Sequence, residues 1–197
     1  MPSAREALLD CAYAALSSLP WRAVRMVDVA AGAGVSRQTL YNEFGSKDGL
    51  ARALIRRAAD RYLAGVERTL DAHRAEGEGP VELALWTVRA AHSDVLVRAL
   101  LTGVWGDHLP VPADGRSAGA PPPTPAELLA LVRDRAVAAL AEGAAPPRDP
   151  AHLELVCETA LRLALSYTLV PATELTAPNR TAADRSRRRS PARSTPA

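Results

Sequence analysis

One stretch constrains this chain more than any other: Val27 to Leu50, V-D-V-A-A-G-A-G-V-S-R-Q-T-L-Y-N-E-F-G-S-K-D-G-L. Val27, Val29, Ala30 and Ala33 repeat at helical spacing, and Gly34 then supplies the permissive backbone that ends a helix and turns the chain. Ser36 stands where a hydroxyl can cap a new helix, Arg37 to about Phe44. That helix offers Leu40 and Phe44 to a core, and Arg37, Gln38, Thr39, Tyr41 and Asn42 to its surroundings. These side chains suit nucleic acid: Arg pairs with guanine, Gln or Asn with adenine, and Thr and Tyr hydroxyls with phosphate. The stretch reads as a helix-turn-helix with a polar recognition helix, followed at Ser46 and Lys47 by the start of a third helix.

At these residues the sequence resembles the TetR family of bacterial one-component transcription regulators. Val29-Ala30, Gly34-Val35-Ser36, Thr39-Leu40-Tyr41, Phe44, Lys47 and Leu50 stand in the register of the family pattern. The resemblance covers the first quarter to third of the chain at motif level; beyond it only the all-helical layout agrees. It implies an all-α fold: a three-helix DNA-binding head at residues 1–46, a linking helix at 47–74 and a helical ligand-binding and dimerisation body at 75–171. It also implies roles. Arg37 and Gln38 would read bases, with Asn42 beside them and Thr39 shared between base and backbone; Tyr41, Lys47, Ser36 and Arg25 would hold phosphates. Two positions depart from the family. Arg25 stands where a Thr or Ser usually caps the second helix, and Glu43 where His is common. A carboxylate there repels phosphate unless it pairs with an Arg or faces away. The run Arg37 to Ser46 and the pattern His92-x-x-Val95-x-Val97-Arg98 are similar to an actinobacterial subgroup linked to alkane, fatty-acid or lipid-transport genes.

Composition agrees with a helical protein of this kind. Of 197 residues 48% are hydrophobic, enough for a core, but only 4% are aromatic, a balance dominated by Ala and Leu that favours helix over sheet. The net charge of +2 conceals an uneven distribution. Residues 1–62 carry +3, 63–178 carry −6 and 179–197 carry +5, so the basic charge sits at the head and the tail. Of the 24 basic residues only Lys47 is a lysine, which suggests a position wanting a compact point charge. Cys11 and Cys157 lie far apart with no C-x-x-C partner and read as reduced, buried thiols. Arg5, Glu6 and Asp10 in the first helix exclude a signal peptide, and no apolar run reaches membrane-spanning length, so a cytoplasmic protein is expected.

Along the chain, Ser3-Ala-Arg-Glu6 reads as a capping box opening a packing helix that Pro20 stops. From Ser46 a long helix runs to about His73 on the stripe Leu50, Leu54, Ala58, Tyr62, Val66, Leu70, ended by Glu76-Gly-Glu-Gly-Pro80. Any signal from body to DNA must tilt or shift that helix. Helices follow at about Val81 to His92 and, capped by Ser93 or Asp94, through Leu101. Residues 103–124 are rich in Gly and Pro and read as a disordered loop, with an ordered lid as the alternative. Thr124-Pro-Ala-Glu127 is a second capping box, starting a helix to about Glu142, and Asp149-Pro150 opens a last helix to about Val170 that is apolar nearly all round. Its second apolar side is expected to face a partner subunit, with Leu131, Leu161 and Leu165 at the seam. The Arg-rich tail 172–197 reads as disordered.

The expected function is a homodimeric repressor, released from a palindromic operator in double-stranded DNA by a small apolar, fatty-acyl-like ligand. The family implies a pocket in the body; Trp86, Leu100, Trp105, Leu161 and Tyr167 are the expected lining, and no cofactor or metal is expected. An enzyme is disfavoured, since His73, His92, His108 and His152 show no metal spacing, and neither G-x-S-x-G nor a Gly-rich phosphate loop is present. The alternative is a helical partner-binding module without sequence-specific DNA binding, which Arg25 and Glu43 keep open.

Overall fold

The computed structural model describes residues 3–73, 78–110, 122–142 and 149–170. Among these the helices are α1 (Ala4–Ala15), a 3-10 turn (Trp21–Ala23), α2 (Met26–Gly32), α3 (Arg37–Phe44), α4 (Lys47–Ala72), α5 (Gly79–Ser93), α6 (Val95–Thr102), α7 (Pro125–Ala141) and α8 (Pro150–Leu169). The basic tail and residues 111–121 of the Gly/Pro-rich segment lie outside the described residues.

The head closes around Leu8, Leu9 and Ala12 of α1, Val29 and Ala30 of α2, Leu40 and Phe44 of α3, and Leu50 and Leu54 of α4, all buried. Gly34 makes the turn between α2 and α3 at φ +67, a left-handed conformation that a side chain would resist. The hydroxyls of Ser36 and Ser46 accept from the N–H groups of Thr39 and Gly49, so both helix starts that flank the recognition helix are capped. At α1 only half of the expected box forms. Ser3 accepts from the Glu6 N–H, but the Glu6 carboxylate goes to Arg57 of α4 instead.

α4 carries one buried stripe through both halves of the molecule: Leu50, Leu54, Ala58, Tyr62, Val66 and Leu70. In the body α5 packs on α8 and α4, and α7 on α8 and α4. Where α4 meets α5, the indole of Trp86 lies so close over Gly65 that a Cβ there would overlap its Cζ2. α5 begins two residues earlier than expected, because Pro80 sits in its first turn, where a missing N–H costs nothing. Asp94, not Ser93, caps α6, its Oδ1 accepting from Leu96 and Val97. The Thr124–Glu127 box is complete.

Two expectations change. Residues 103–110 are not loose: Trp105 and Leu109 pack against the core, and Pro110 is buried. The Gly and Pro content encodes only the absence of a helix there, not the absence of packing. On α8, Leu161 is 1% exposed, which places it in the interior of one subunit rather than at a seam; the outward apolar side is Leu155, Leu163, Tyr167 and Leu169. An all-round apolar helix leaves open which side faces in.

Candidate nucleic-acid interface

The recognition helix α3 turns Leu40 and Phe44 inward and carries its polar side chains outward, each tied within the head. Gln38 Nε2 donates to Asn42 Oδ1 at 2.8 Å. Thr39 Oγ1 lies 2.8 Å from the Ser36 hydroxyl. The Arg37 guanidinium lies over the Tyr41 ring, 5.4 Å from its centroid. Arg37, Gln38 and Asn42 are exposed, while Thr39 and Tyr41 are half-buried.

Glu43 meets the condition under which a carboxylate is tolerable at such a surface. Arg5 of α1 pairs with its Oε2 at 3.4 Å, donates to its backbone carbonyl at the same distance, and stacks over the Phe44 ring at 4.7 Å. Arg5 thus neutralises Glu43 and holds the last turn of α3 against α1. The sequence carried no periodic signal for this contact, since the partners are 38 residues apart.

Arg25 caps α2 by position only, its side chain making no cap hydrogen bond; it pairs with Asp28 at 3.6 Å, both exposed. Lys47 is half-buried and folded back on the head. Its Nζ donates to the Arg22 carbonyl at 3.1 Å and sits 5.3 Å over the Trp21 ring. Burial lowers its pKa, with Asp48 partly opposing. The compact charge that the lone lysine suggested is used first to hold the 3-10 turn.

The head is braced against the linking helix and the body at several points. Arg57, 10% exposed, binds Glu6 at 3.3 Å and Asp10 at 2.7 Å across the α1–α4 seam. The Trp21 N–H donates to the His108 carbonyl at 2.9 Å. Tyr13 hydrogen-bonds Asp94, and burial together with that carboxylate pushes its pKa up to about 12.

The five expected ligand-lining residues differ widely in exposure. Leu100 and Leu161 are packed at 1% exposure, Trp86 and Trp105 are half-buried against the core, and Tyr167 stands 40% exposed on α8. The apolar side chains of this small body close on one another. An open groove of about 500 Å³ lies elsewhere, between α4 and α7, bordered by Ala59, Leu63, Ala130 and Leu131 with Asp60 and Glu127. Trp86 Nε1 is buried without a hydrogen-bond partner. Cys11 and Cys157 are both free thiols; Cys157 is buried, which pushes its pKa up to about 11.

A capped, polar helix held outward by a three-helix head, joined through one long helix to a helical body, defines the class: an all-α helix-turn-helix protein. Residues 8–54 match the profile of the bacterial regulatory proteins, tetR family. The chain is 41% identical over 104 residues to the HTH-type transcriptional regulator AlkX of Mycobacterium tuberculosis (strain ATCC 25618 / H37Rv), an alignment covering 51% of this chain and 48% of that protein. The chain thus spans about half the length of the curated relative it matches. In fold it is similar to the crystal structure of the TetR family repressor AlkX from Dietzia sp. strain DQ12-45-1b, implicated in biodegradation of n-alkanes, with a TM-score of 0.52 and 23% identity over 88% of each chain. The family match thus lies in the head, residues 8–54, which is similar to the bacterial regulatory proteins, tetR family. No helix among the described residues is long and apolar enough to cross a membrane.

Proposed function

We propose that this protein is a homodimeric transcriptional regulator of the cytoplasm that binds a palindromic operator and is released by a small apolar ligand, acting as a repressor. The observation that carries the reading is the polar surface of α3 within the matched segment, where Arg37, Gln38 and Asn42 are exposed and Thr39 half-buried while Leu40 and Phe44 are buried in the head. Arg37 and Gln38 face bases, with Thr39 and Asn42 beside them; Ser36, Tyr41, Arg25 and Lys47 face phosphates. Arg37 leaves its stacked position over Tyr41 to reach a guanine. The division into head (1–46), linking helix (47–74) and body (75–171) follows from this use of the chain.

Dimerisation is supported by the apolar side chains on the outer side of α8, where Leu155, Leu163 and Tyr167 are exposed. A single helix-turn-helix reads few base pairs, and two heads about one helical turn (~34 Å) apart read a palindrome. An alkane-like or fatty-acyl ligand is supported by the apolar body and by the name of the Dietzia relative. The partner-binding alternative drew on Arg25 and Glu43; the pairing of Glu43 with Arg5 speaks against the second, while Arg25 makes no cap hydrogen bond and still stands for it.

The test is binding of Arg37→Ala to a selected operator and to random DNA. The expected outcome is a loss of discrimination of about 1–3 kcal/mol at one base position. Equal losses on operator and random DNA would contradict the base-reading role.

A further inference from the structure

The last helix points back at the head. α4 sets the direction: it starts at Lys47 against the head, passes Arg57 beside α1 and reaches Glu67 deep in the body. α7 runs the same way. At its start Pro125 meets Gly103, where an added Cβ would stand 3.3 Å from the proline Cγ, and the segment after Gly103 carries the His108 carbonyl bonded to Trp21 of the head. Further along, Arg135 binds Glu67 at 3.0 Å, and Leu140 covers Gly79, beyond the far end of α4. The link from Ala141 to Pro150 is short, which makes α8 an antiparallel neighbour of α7. Glu154 and Glu158 of α8 meet Arg133 of α7 at 3.6 and 4.0 Å. From Glu158 to Leu169 α8 then rises ~16 Å, further than the ~12 Å from Arg133 back to Pro125. α8 also packs on α6, whose cap Asp94 meets Tyr13 of α1. Val170 therefore sits at the end of the body that faces the head.

The sequence beyond that point is strongly basic. Residues 179–197 carry Arg180, Arg185, Arg187, Arg188, Arg189 and Arg193 against Asp184 alone, a net charge of +5. Apart from Ala and Pro the run contains no apolar side chain, so it offers a partner little besides positive charge. The body is a poor match for it although residues 63–178 carry −6, because Glu67, Glu82, Asp134, Glu154 and Glu158 already pair with arginines of the body itself. Duplex DNA, by contrast, presents one negative charge per ~1.7 Å of its axis. Distance is no obstacle. Residues 171–180 alone reach up to ~35 Å when extended, whereas the head is about two helix diameters deep, ~20–25 Å.

From this placement we infer that the arginines of residues 180–193 form a DNA-binding arm that holds phosphates beside the site read by α3. The inference rests on the regulator reading above and adds to it a second DNA contact, outside the head. The arm supplies affinity through charge and leaves the choice of bases to α3.

The experiment measures binding of the full chain to a duplex selected from a random library, and to a random duplex, at several salt concentrations. Two variants are compared with the wild type. One combines Arg185→Gln, Arg187→Gln, Arg188→Gln, Arg189→Gln and Arg193→Gln; the other combines Arg185→Lys, Arg187→Lys, Arg188→Lys, Arg189→Lys and Arg193→Lys. The first should bind both duplexes about tenfold or more weakly at low salt while selecting the same sequence. Its salt slope should be shallower by about 3 or more, since each phosphate contact contributes about 0.9. The second should keep most of the affinity and the slope, because phosphates accept either cation. Wild-type affinity and slope in the first variant would overturn the inference and leave the regulator reading intact. Tighter binding by the first variant would overturn it equally, as would a second variant as weak as the first. A wild type that selects no sequence would instead remove the regulator reading, and the arm's place beside α3 with it.

Discussion

The backbone N–H of Trp21 donates to the carbonyl of His108 at 2.9 Å, so the 3-10 turn of the head is bonded to the loop that leaves α6. At its other end α6 is capped by Asp94, whose carboxylate also meets Tyr13 of α1. The segment from Asp94 to His108 is therefore fastened to the head at both ends. A rearrangement of the body can reach the recognition helix through this segment as well as through α4.

Lys47 sits beside that junction, and its substitution separates two roles. Lys47→Ala should lower stability by about 1 kcal/mol, through the lost bond to the Arg22 carbonyl and the lost contact with Trp21. It should also weaken binding to all DNA sequences alike and reduce the salt slope by about 1. Urea unfolding reads the first effect and binding at several salt concentrations the second. A stability loss with an unchanged salt slope would confine Lys47 to holding the turn.

Arg5→Ala should barely change stability, because an exposed ion pair contributes about 0–1 kcal/mol. It should weaken DNA binding, because Glu43 is then left unpaired near the phosphates. Glu43→Gln introduced on top of Arg5→Ala should recover most of that loss. A double-mutant cycle of DNA affinity checks the coupling, and independent additive effects would contradict it.

Gly65→Ala should destabilise the body by about 1–3 kcal/mol, since the added Cβ collides with the Trp86 indole and one of the two helices must shift. Trp86→Leu in the same chain should relieve the collision, so that the second substitution costs less in the Gly65→Ala background than alone. Urea midpoints of the four proteins test this.

Alkaline pH should destabilise the fold in a defined window. Tyr13 and Tyr62 both have pKa values raised from 10.0 to about 12, each chiefly by burial. An acid with a raised folded-state pKa holds its proton more tightly when folded. Its contribution is complete below about pH 10 and is lost as pH rises through about 12. Tyr62→Phe should reduce this loss, at a cost near neutrality of about 1 kcal/mol for the bond to Thr87. Unfolding free energies across the window, with tyrosinate absorbance, provide the measurement.

What could be read from the sequence is what local chemistry encodes. Ser36, Ser46 and Thr124 cap helices because their hydroxyls bond N–H groups three residues on, and the α4 stripe is buried because its spacing is helical. Periodicity says which side of a helix is apolar, but not what covers it. Leu161 and Leu163 are equally apolar, yet one is interior and the other 55% exposed. Contacts between distant segments carried no local signal. Arg5 on Glu43, Trp21 on His108 and Trp86 on Gly65 each depend on how finished elements meet.

The central claim is sequence-specific DNA binding by the α3 crest, and a footprint of the purified protein on the DNA flanking its own gene, at two salt concentrations, tests it most directly. The account predicts a protected palindrome whose half-sites lie about one helical turn (~34 Å) or a multiple apart, with protection that weakens steeply as salt rises. Absence of protection at low salt, from protein shown to be folded and dimeric, would contradict it.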